Sequence, residues 1–283
     1  MLIVAKILKL IFINNFFRKY YFKLYTSIIK PLNLFKNVHT VGNYGKNLKI
    51  NLDVNEWIQQ QIFFFGIYDI NGISYLRNTL KSGDVFIDIG ANIGSYSLIA
   101  SELVKDTGKV ISFEPTKLCY RKLNDNISLN NLKNIKTEKL AVYHQAGFIN
   151  LHISNSDNLG MSSILHHDAE IGDVEKVESI TLDKYIIDNN ISRINLIKLD
   201  IEGAEYYALK GMLNTLKKYK PNIIIEISPD VLSSGDISKD DILNLLRSIY
   251  YFPFKIKENG EIYPFNEIDD SYYDFVFIHK MNI

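Results

Sequence analysis

The sequence predicts an α/β fold with a mostly parallel β-sheet flanked by helices and preceded by an N-terminal helical flank. From residue 84 onward, short β-rich runs alternate with stretches of helical period, which is the pattern of successive βαβ units. The chain has 283 residues, of which 47% are hydrophobic, and this is enough apolar material for one large domain. Residues 1–60 differ in composition from the rest. We therefore predict a basic, aromatic-rich flank over residues 1–60 and the main domain over residues 61–283.

The first half of the main domain is predicted to contain three strands separated by two helices. The strands are Val85–Ile89, Lys109–Phe113 and Lys139–Tyr143. The first helix is indicated by apolar residues at i, i+3, i+4, i+7 and i+8, which place one face against the sheet. Those residues are Tyr96, Ile99, Ala100, Leu103 and Val104. The second helix is marked by Tyr120, Leu123 and Ile127.

The βαβ rhythm breaks between residues 147 and 182, where we predict an inserted loop or hairpin. Its strands are Phe148–Ile153 and Val177–Leu182. Between them, residues Asn158–Ser163 are predicted to form part of a lid over cofactor or acceptor, with an ordinary exposed connection as the alternative.

The rhythm resumes in the C-terminal part of the chain. We predict strands at Asn195–Leu199 and Asn222–Ile227, and a closing antiparallel pair, Phe252–Ile256 with Tyr273–Ile278, around the turn at Asn259-Gly260. Two helices are indicated by apolar positions of helical spacing. These positions are Leu209, Met212, Leu213 and Leu216 for the first helix, and Ile242, Leu245, Leu246 and Ile249 for the second.

Residues 1–36 combine basic and aromatic side chains and contain no acidic residue. The apolar run is interrupted by Lys6 and Lys9 and is too short for a membrane-spanning helix. Three interpretations stay open: a helix packed on its own domain, an interfacial helix that contacts anionic lipid, and an anchor or signal segment. The basic residues are Lys6, Lys9, Arg18, Lys19, Lys23, Lys30 and Lys36.

Composition excludes several classes of protein. The 32 Lys and Arg residues balance the 32 Asp and Glu residues, so no overall field attracts nucleic acid. The single cysteine, Cys119, excludes an internal disulfide framework and predicts a reducing, cytoplasmic location. We predict no metal site, because His144 and the run His166-His167-Asp168 lack the spacing that puts two imidazoles on one helix face.

Acidic residues lie within or directly after the carboxyl ends of three of the predicted parallel strands, at the sheet edge where α/β proteins bind ligands. They are Asp88, Glu114 and Asp200. Gly90 and Gly94 allow a tight turn between the first strand and the next helix, although close packing alone also explains a glycine pair. Helix capping is the alternative explanation for Asp88 and for Asp200.

The strand-end acids predict a ribose-bearing, cationic cofactor. Glu114 follows Gly94 by 20 residues, at the end of the next strand, where a carboxylate accepts hydrogen bonds from ribose hydroxyls. A dinucleotide carries a negatively charged pyrophosphate and prefers a loop with a third glycine, which this sequence lacks. Asp88 and Asp200 would repel that pyrophosphate but attract the sulfonium and ammonium groups of S-adenosylmethionine. The charges therefore favour S-adenosylmethionine over NAD.

Five sequence blocks, in this order, resemble the FkbM family of S-adenosylmethionine-dependent methyltransferases. The blocks are Gly83–Gly94, Glu114-Pro115, Asn158–Ser163, Thr181-Leu182-Asp183 and Ile197–Glu205. The resemblance covers roughly residues 65–230 and departs from the family at Thr116-Lys117, where a second proline is common.

The resemblance implies a class I methyltransferase fold, with a Rossmann-like seven-stranded sheet whose last strand is antiparallel. It also implies O-methylation of a hydroxyl on a sugar, glycolipid or secondary metabolite. By motif position it assigns cofactor contacts to Asp88, Gly90, Ala91, Asn92, Gly94 and Glu114. Two alternatives remain: an NAD-dependent oxidoreductase, and a non-catalytic, membrane-associated protein that retains the fold.

Methyl transfer from a sulfonium depends mainly on positioning, and a base that removes the proton of the hydroxyl adds to the rate. We predict Asp200 as the first candidate for this base, with Glu226 and Glu202 as further candidates from neighbouring strand ends. Each has a structural alternative: Asp200 as a ligand of the cofactor ammonium, Glu226 as an acceptor of loop amides, and Glu202, like Glu205, at the start of a helix. No motif identifies the acceptor or the oligomeric state.

Overall fold

The computed structural model describes residues 1–12, 15–154, 171–228, 237–264 and 274–283. Two compact units are present. The N-terminal unit comprises Met1–Asp69 with Ser128–Asn130, and the sheet unit comprises Ile70–Ile127 with Asn131–Ile283.

The N-terminal unit combines short helices with a β-hairpin. Its elements are α1 Leu2–Phe12, α2 Asn15–Arg18, α3 Tyr21–Leu24, a π-helical turn Tyr25–Ile29, β1 His39–Tyr44, β2 Leu48–Asp53 and α4 Trp57–Phe65. Helix α4 begins after Glu56, whose carboxylate accepts a hydrogen bond from the Gln59 amide at 2.8 Å. It ends at Gly66, which has a left-handed φ of 79°.

Aromatic side chains form the core of the N-terminal unit. Tyr21 is 3% exposed and its ring is surrounded by four other aromatic rings. The distances between ring centroids are 5.3 Å to Phe12, 6.1 Å to Trp57, 5.4 Å to Phe64 and 4.8 Å to Phe65. Each such pair stabilises the fold by about 0.5–1.5 kcal/mol beyond its buried area. Within the described ranges, no helix has both the length and the hydrophobicity needed to cross a bilayer.

The rest of the chain builds three layers of helix, sheet and helix. The helices are α5 Ile70–Thr79, α6 Ser95–Val104, α7 Lys117–Leu129, α8 Leu182–Asp188, α9 Glu205–Lys210, α10 Leu213–Tyr219 and α11 Lys239–Ser248. The strands are β3 Val85–Ile89, β4 Lys109–Phe113, β5 Ile135–Glu138, β6 Ala141–Val142, β7 Gly147–Ser154, β8 Ile171–Ile180, β9 Leu196–Leu199, β10 Asn222–Glu226, β11 Tyr251–Ile256, β12 Ile262–Pro264 and β13 Asp274–His279.

The main sheet has the strand order β12-β11-β13-β10-β9-β3-β4-β5. Strands β5, β4, β3, β9 and β10 are parallel, and β13 runs antiparallel between β10 and β11. This is the expected seven-stranded sheet with one antiparallel strand, extended by the short edge strand β12. All side chains of β9 are buried, and the carboxyl ends of β4, β3, β9 and β10 lie at one edge, where the acidic residues follow.

The predicted third strand, Lys139–Tyr143, is wrong. The strand that pairs with β4 is β5, which begins at Ile135 opposite Val110. Residues Ala141 and Val142 pair with β8 in a separate sheet of order β6-β8-β7. Because β5 is an edge strand that is only partly buried, its side chains are mostly polar and lack the apolar pattern of a strand.

The single helix predicted from Leu209 to Leu216 is two helices, α9 and α10. The break falls at Gly211, where a Cβ atom would lie 2.0 Å from the carbonyl oxygen of Tyr143. The strand predicted over Val177–Leu182 ends at Ile180, because Thr181 caps α8 by accepting a hydrogen bond from the Lys184 amide.

The closing strands pair as predicted, with Tyr251 opposite His279 in an antiparallel register. The turn at Asn259-Gly260, however, joins β11 to β12 instead of to β13. Segment 147–182 contains the antiparallel pair β7 and β8. The predicted lid Asn158–Ser163 and the run His166-His167-Asp168 lie outside the described residues.

Candidate active site

Two strand-end loops pack tightly against each other, and this contact requires Gly90. Its φ is +83°, and a Cβ atom at this position would lie 1.8 Å from the carbonyl oxygen of Asp200. Gly94, with φ +94°, is similarly close to the side chain of Leu123, at 2.6 Å. At Gly90 the loop after β3 is therefore held against the loop after β9 by a close backbone contact that only glycine permits, whereas Gly94 packs against a side chain of α7.

Four backbone amides of the loop after β3 are already engaged in hydrogen bonds. The amides of Gly90 and Ala91 both donate to the carbonyl oxygen of Phe113 at 3.0 Å. The Asn92 amide donates to Glu114 Oε2 at 2.9 Å, and the Gly94 amide donates to the carbonyl of Ala91 at 2.8 Å. A pyrophosphate site needs free amides at a helix N-terminus. These four donors are occupied, so they are not available to the pyrophosphate of a dinucleotide.

Glu114 follows β4 and connects two loops. Its Oε1 accepts hydrogen bonds from the amide and hydroxyl of Thr116, at 3.0 and 2.7 Å, and its Oε2 accepts from the Asn92 amide. Burial raises the pKa of this carboxyl above its ordinary value, while these hydrogen bonds oppose the shift. Because each carboxylate oxygen can accept two hydrogen bonds, Oε2 retains capacity for a ligand hydroxyl.

Asp88 is buried in β3 at 1% exposure, and its strand neighbours are polar. It lies opposite Ser112 of β4 on one side and Lys198 of β9 on the other, so the three side chains share one face of the sheet. Ser97 of α6 donates its hydroxyl to Asp88 Oδ2 and lies 2.7 Å from the Ser112 hydroxyl. Asp88 Oδ1 has no hydrogen-bond partner in the described residues. Burial raises the pKa of Asp88.

Lys198 is a buried cation between two carboxylates. Its Nζ lies 2.5 Å from Asp200 Oδ2, and 4.7 Å from the ring centroid of Tyr96. Burial alone would lower the pKa of Lys198, but the charges of Asp200 and Asp88 raise it above its ordinary value. The lysine therefore stays protonated and compensates part of the negative charge of the acidic cluster formed by Asp88, Asp200 and Glu226.

Asp200 and Glu226 form a carboxyl pair at the ends of β9 and β10. Burial would raise the pKa of Asp200, but Lys198 and a hydrogen bond from Glu226 keep it below its usual value. The charge of Asp200, together with burial and Asp274, raises the pKa of Glu226 well above its usual range. Asp274 lies opposite Glu226 in the neighbouring strand. Asp200 is thus the ionised member of the pair, and Glu226 has the higher proton affinity.

Glu202 lies in the loop between β9 and α9 with a left-handed φ of 52°. Glu205 fixes this loop, because its Oε1 accepts hydrogen bonds from the amides of Ile201 and Gly203 at 3.0 and 3.2 Å. Burial, followed by the charge of Asp200, raises the pKa of Glu202 to about 8. Burial also raises the pKa of Glu205 to about 7, against its hydrogen bonds to the loop amides.

These features fit a cationic ligand that carries hydroxyl groups. Asp88 Oδ1 is a buried acceptor without a donor, and Glu114 Oε2 can accept one more hydrogen bond. Carboxylates surround the position and the loop amides are occupied, so an anion would find repulsion and few donors. The predicted cofactor residues are therefore grouped at one edge of the sheet, together with Asp200 and Glu226.

His144, another residue singled out in the sequence, contacts two tyrosine rings at tilted angles. Its ring lies 4.3 Å from Tyr143 and 5.4 Å from Tyr207, centroid to centroid. In the described part of the chain, no group of three or more His, Cys, Asp or Glu side chains is arranged to hold a metal ion.

Three side chains around Asp88 were not among the predicted site residues: Lys198, Ser97 and Ser112. One signal was present: Lys198 stands in the run Ile197-Lys198-Leu199, within a strand flanked by apolar residues. A lysine in a fully buried strand needs a carboxylate partner, and this requirement alone identifies it as part of the site.

Comparison with known proteins gives a family and several relatives. Residues 88–253, more than half of the chain, match the family described as "Methyltransferase FkbM domain". The chain is 28% identical over 201 residues to Methyltransferase sdnD of Sordaria araneosa, which covers 60% of this chain and 74% of that protein.

Two further relatives have names that specify a modification. The 2-O-methyltransferase NoeI of Sinorhizobium fredii is 28% identical over 181 residues, covering 59% of this chain and 73% of the relative. The hexuronic acid methyltransferase AglP of Haloferax volcanii is 26% identical over 177 residues, covering 61% of this chain and 69% of the relative.

Proposed function

Because the chain belongs to the FkbM methyltransferase family, we propose that it transfers a methyl group from S-adenosylmethionine to a hydroxyl oxygen of a sugar, glycolipid or secondary metabolite. The observation that carries this proposal is the arrangement of Glu114, Asp88 and Asp200 around a loop whose amides are already occupied. That arrangement suits a ribose-bearing cation and does not suit a pyrophosphate. Family membership and this geometry both favour the methyltransferase over the NAD-dependent alternative.

S-adenosylmethionine supplies an electrophilic methyl group carried on a sulfonium. Glu114 would hold the ribose hydroxyls through the remaining capacity of Oε2, and Asp88 Oδ1 would accept a donor of the ligand. Gly90, Ala91, Asn92 and Gly94 would shape the loop that lines the bound adenosine, with Gly90 fixing its distance from Asp200.

Three carboxyl groups are candidates for handling the proton of the acceptor hydroxyl, and we assign them different roles. Asp200, paired with Lys198, remains ionised and acts as the fixed negative charge that attracts the cationic donor. Glu226, whose pKa is raised well above its usual range, is the hydrogen-bond partner that keeps the Asp200 carboxylate in place. Glu202, with a pKa raised to about 8, is the stronger base once it is ionised, and we assign proton acceptance to it.

The pH profile of methyl transfer separates Glu202 from Asp200, the first candidate from the sequence. If Glu202 accepts the proton, the rate rises with pH up to about 8, and Glu202→Gln removes this rise and lowers the rate by about 10²–10⁴-fold. If Asp200 accepts the proton, the profile is flat through neutral pH, and Glu202→Gln keeps both its rate and its shape.

The names of two relatives support a hydroxyl on a sugar as the methyl acceptor. One is called a 2-O-methyltransferase and the other a hexuronic acid methyltransferase. A small-molecule or glycan acceptor is consistent with both. We also propose a cytoplasmic location, and a glycolipid acceptor would bring the enzyme to a membrane surface.

The test combines binding and turnover. Calorimetric titration with S-adenosylhomocysteine and with NADH is expected to show binding of the first ligand only, and NADH binding alone would contradict the proposal. Incubation with S-adenosylmethionine labelled in the methyl group, together with glycan, glycolipid and metabolite extracts, is expected to label one acceptor. The label should disappear with Asp200→Asn and should be stable to mild base, as an ether is and a methyl ester is not. Cofactor binding without any labelled product would favour the non-catalytic alternative.

A further inference from the structure

Helix α1 has one buried and one exposed side, and both sides are apolar. The buried side contains Ala5, 0% exposed, and Phe12, 5% exposed. The opposite side presents large aliphatic side chains that share an arc of about 120°, at 100° per residue. This apolar arc consists of Ile3 (75% exposed), Val4 (39%), Ile7 (54%), Leu10 (73%) and Ile11 (42%).

The apolar arc continues a wider pattern in the N-terminal segment. Further exposed large hydrophobic side chains occur in residues 17–32. They are Phe17, Tyr20, Phe22, Ile28 and Leu32. A soluble surface rarely concentrates so many aliphatic and aromatic side chains in one short segment, and such concentrations mark contact sites.

Positive charge accompanies the exposed apolar side chains. Residues 1–52 contain nine Lys and Arg residues and no Asp or Glu. On α1, Lys6 is exposed beside the apolar arc, whereas Lys9 lies 4.9 Å from the Phe63 ring and burial lowers its pKa. Helices that lie in a membrane interface combine an apolar face with flanking cations in this way.

We propose that α1 and the basic segment at residues 17–32 form a docking surface for an anionic lipid bilayer. The apolar arc would enter the boundary between headgroups and acyl chains, and Lys6 and Lys23 would contact lipid phosphates. A second copy of the chain is the less suitable occupant, because it would place two surfaces without acidic residues against each other. Net positive charge instead complements the anionic headgroups.

This inference is independent of the methyl-transfer proposal, because lipid binding is measured without turnover. The probe is a set of vesicles of phosphatidylcholine alone or of phosphatidylcholine with phosphatidylglycerol, and the readout is flotation of the full chain. We expect binding to the anionic vesicles, weak binding to the neutral ones, and loss of binding as salt rises.

The apolar arc is tested by the double variant Ile3→Glu, Leu10→Glu. We expect at least tenfold weaker binding to anionic vesicles, since both apolar contacts are replaced by charges that the lipid repels. The matched control is Ile187→Glu in α8, where the replaced side chain is 74% exposed but lies outside residues 1–52. This control is expected to bind as the wild type does. Thermal unfolding and cofactor titration should be unchanged in both variants, because the replaced side chains face solvent.

Three results would overturn the proposal. The double variant binds anionic vesicles as well as the wild type does. The wild type binds neutral and anionic vesicles equally, which removes the role of the cations. The wild type is a dimer that does not float and that the double variant converts to a monomer, which assigns the apolar arc to a second copy.

Discussion

Residues 1–69 carry nine Lys and Arg against three Asp and Glu, whereas residues 70–283 carry 23 against 29. The two regions also distribute their side chains differently. In the sheet unit, charged residues such as Asp88 and Lys198 are buried at strand ends. In the N-terminal unit, aliphatic residues such as Ile3 and Leu10 face solvent.

Buried charges and exposed apolar side chains both lower the stability of the folded chain unless they are paired with a partner. Burying a charge is unfavourable unless it is paired and hydrogen-bonded, and exposing a contiguous apolar surface forgoes hydrophobic stabilisation. The comparison shows two kinds of departure from ordinary packing in one chain: buried charges where we propose chemistry, and exposed apolar side chains where we propose contact with lipid. Matched substitutions in the two regions test whether this contrast is real.

The largest effect is expected from removing a buried cation. Lys198→Met leaves Asp88 and Asp200 without their compensating charge and should lower the free energy of unfolding by about 3–5 kcal/mol. Lys6→Met removes an exposed lysine from the N-terminal unit and should change the free energy of unfolding by less than about 0.5 kcal/mol. Urea unfolding of the full chain measures both. Equal stability of the two variants would mean that Lys198 is not needed to compensate the acidic cluster.

Alanine substitutions at Gly90 and Gly66, which have nearly the same φ, distinguish the cost of a steric contact from the cost of backbone strain. Gly90→Ala combines left-handed strain with a 1.8 Å approach to the Asp200 carbonyl, and should cost about 2–4 kcal/mol and abolish cofactor binding. Gly66→Ala has φ +79° with nothing within 4 Å of the added Cβ, and should cost about 1 kcal/mol. Thermal unfolding and cofactor titration check both variants. If Gly90→Ala still binds cofactor, the contact between the two loops does not shape the site.

A smaller effect is expected from Glu114→Gln, which keeps the size of the side chain and removes its charge. Charge-assisted hydrogen bonds contribute about 1.5–3 kcal/mol, so the dissociation constant for S-adenosylhomocysteine should rise by about 10–100-fold. Thr116→Val removes only the hydroxyl that donates to Glu114 Oε1 and should weaken binding by about fivefold or less. Calorimetric titration decides, and equal losses in the two variants would assign Glu114 a purely structural role.

The sequence predicts the central strands well because their environment leaves a clear pattern. The bounds of β3, β4, β9 and β10 follow from apolar runs within one residue, since strands buried on both faces are nearly continuous in hydrophobic residues. An edge strand is partly exposed and therefore has no continuous apolar run. For this reason the sequence pattern does not reveal the short, polar strand β5, and it predicts a strand at the apolar residues near Ala141 instead.

Site residues that act singly can be predicted from the sequence, whereas residues whose role depends on neighbouring side chains are harder to predict. Glu114 and Gly90 stand out in the sequence because their spacing is tied to a strand end. The dependence of Asp88 on Ser112 and Lys198 arises from strand pairing, which joins residues that are far apart in the chain. The order of proton affinities among Asp200, Glu202 and Glu226 depends on burial and on mutual distance, and neither property can be read from spacing.

Glu202→Gln is expected to change the pH dependence of stability, with no effect at acidic pH and a growing effect as pH rises. In the folded chain the pKa of Glu202 is raised from 4.5 to about 8, so the folded state retains a proton that the unfolded chain releases. The carboxyl therefore lowers the stability of the wild type progressively as pH rises from about 4.5 to about 8, and the amide abolishes this loss.

Glu202→Gln should accordingly be more stable than the wild type at pH 8.5, by up to about 5 kcal/mol for a pKa raised from 4.5 to about 8, and equally stable at pH 4. The control Glu258→Gln, in the exposed turn between β11 and β12, should show no such dependence. Thermal unfolding across this pH range measures the difference. A stability difference that does not vary with pH would mean that Glu202 is not held protonated by its neighbours, and the assignment of proton acceptance to it would then lose its physical basis.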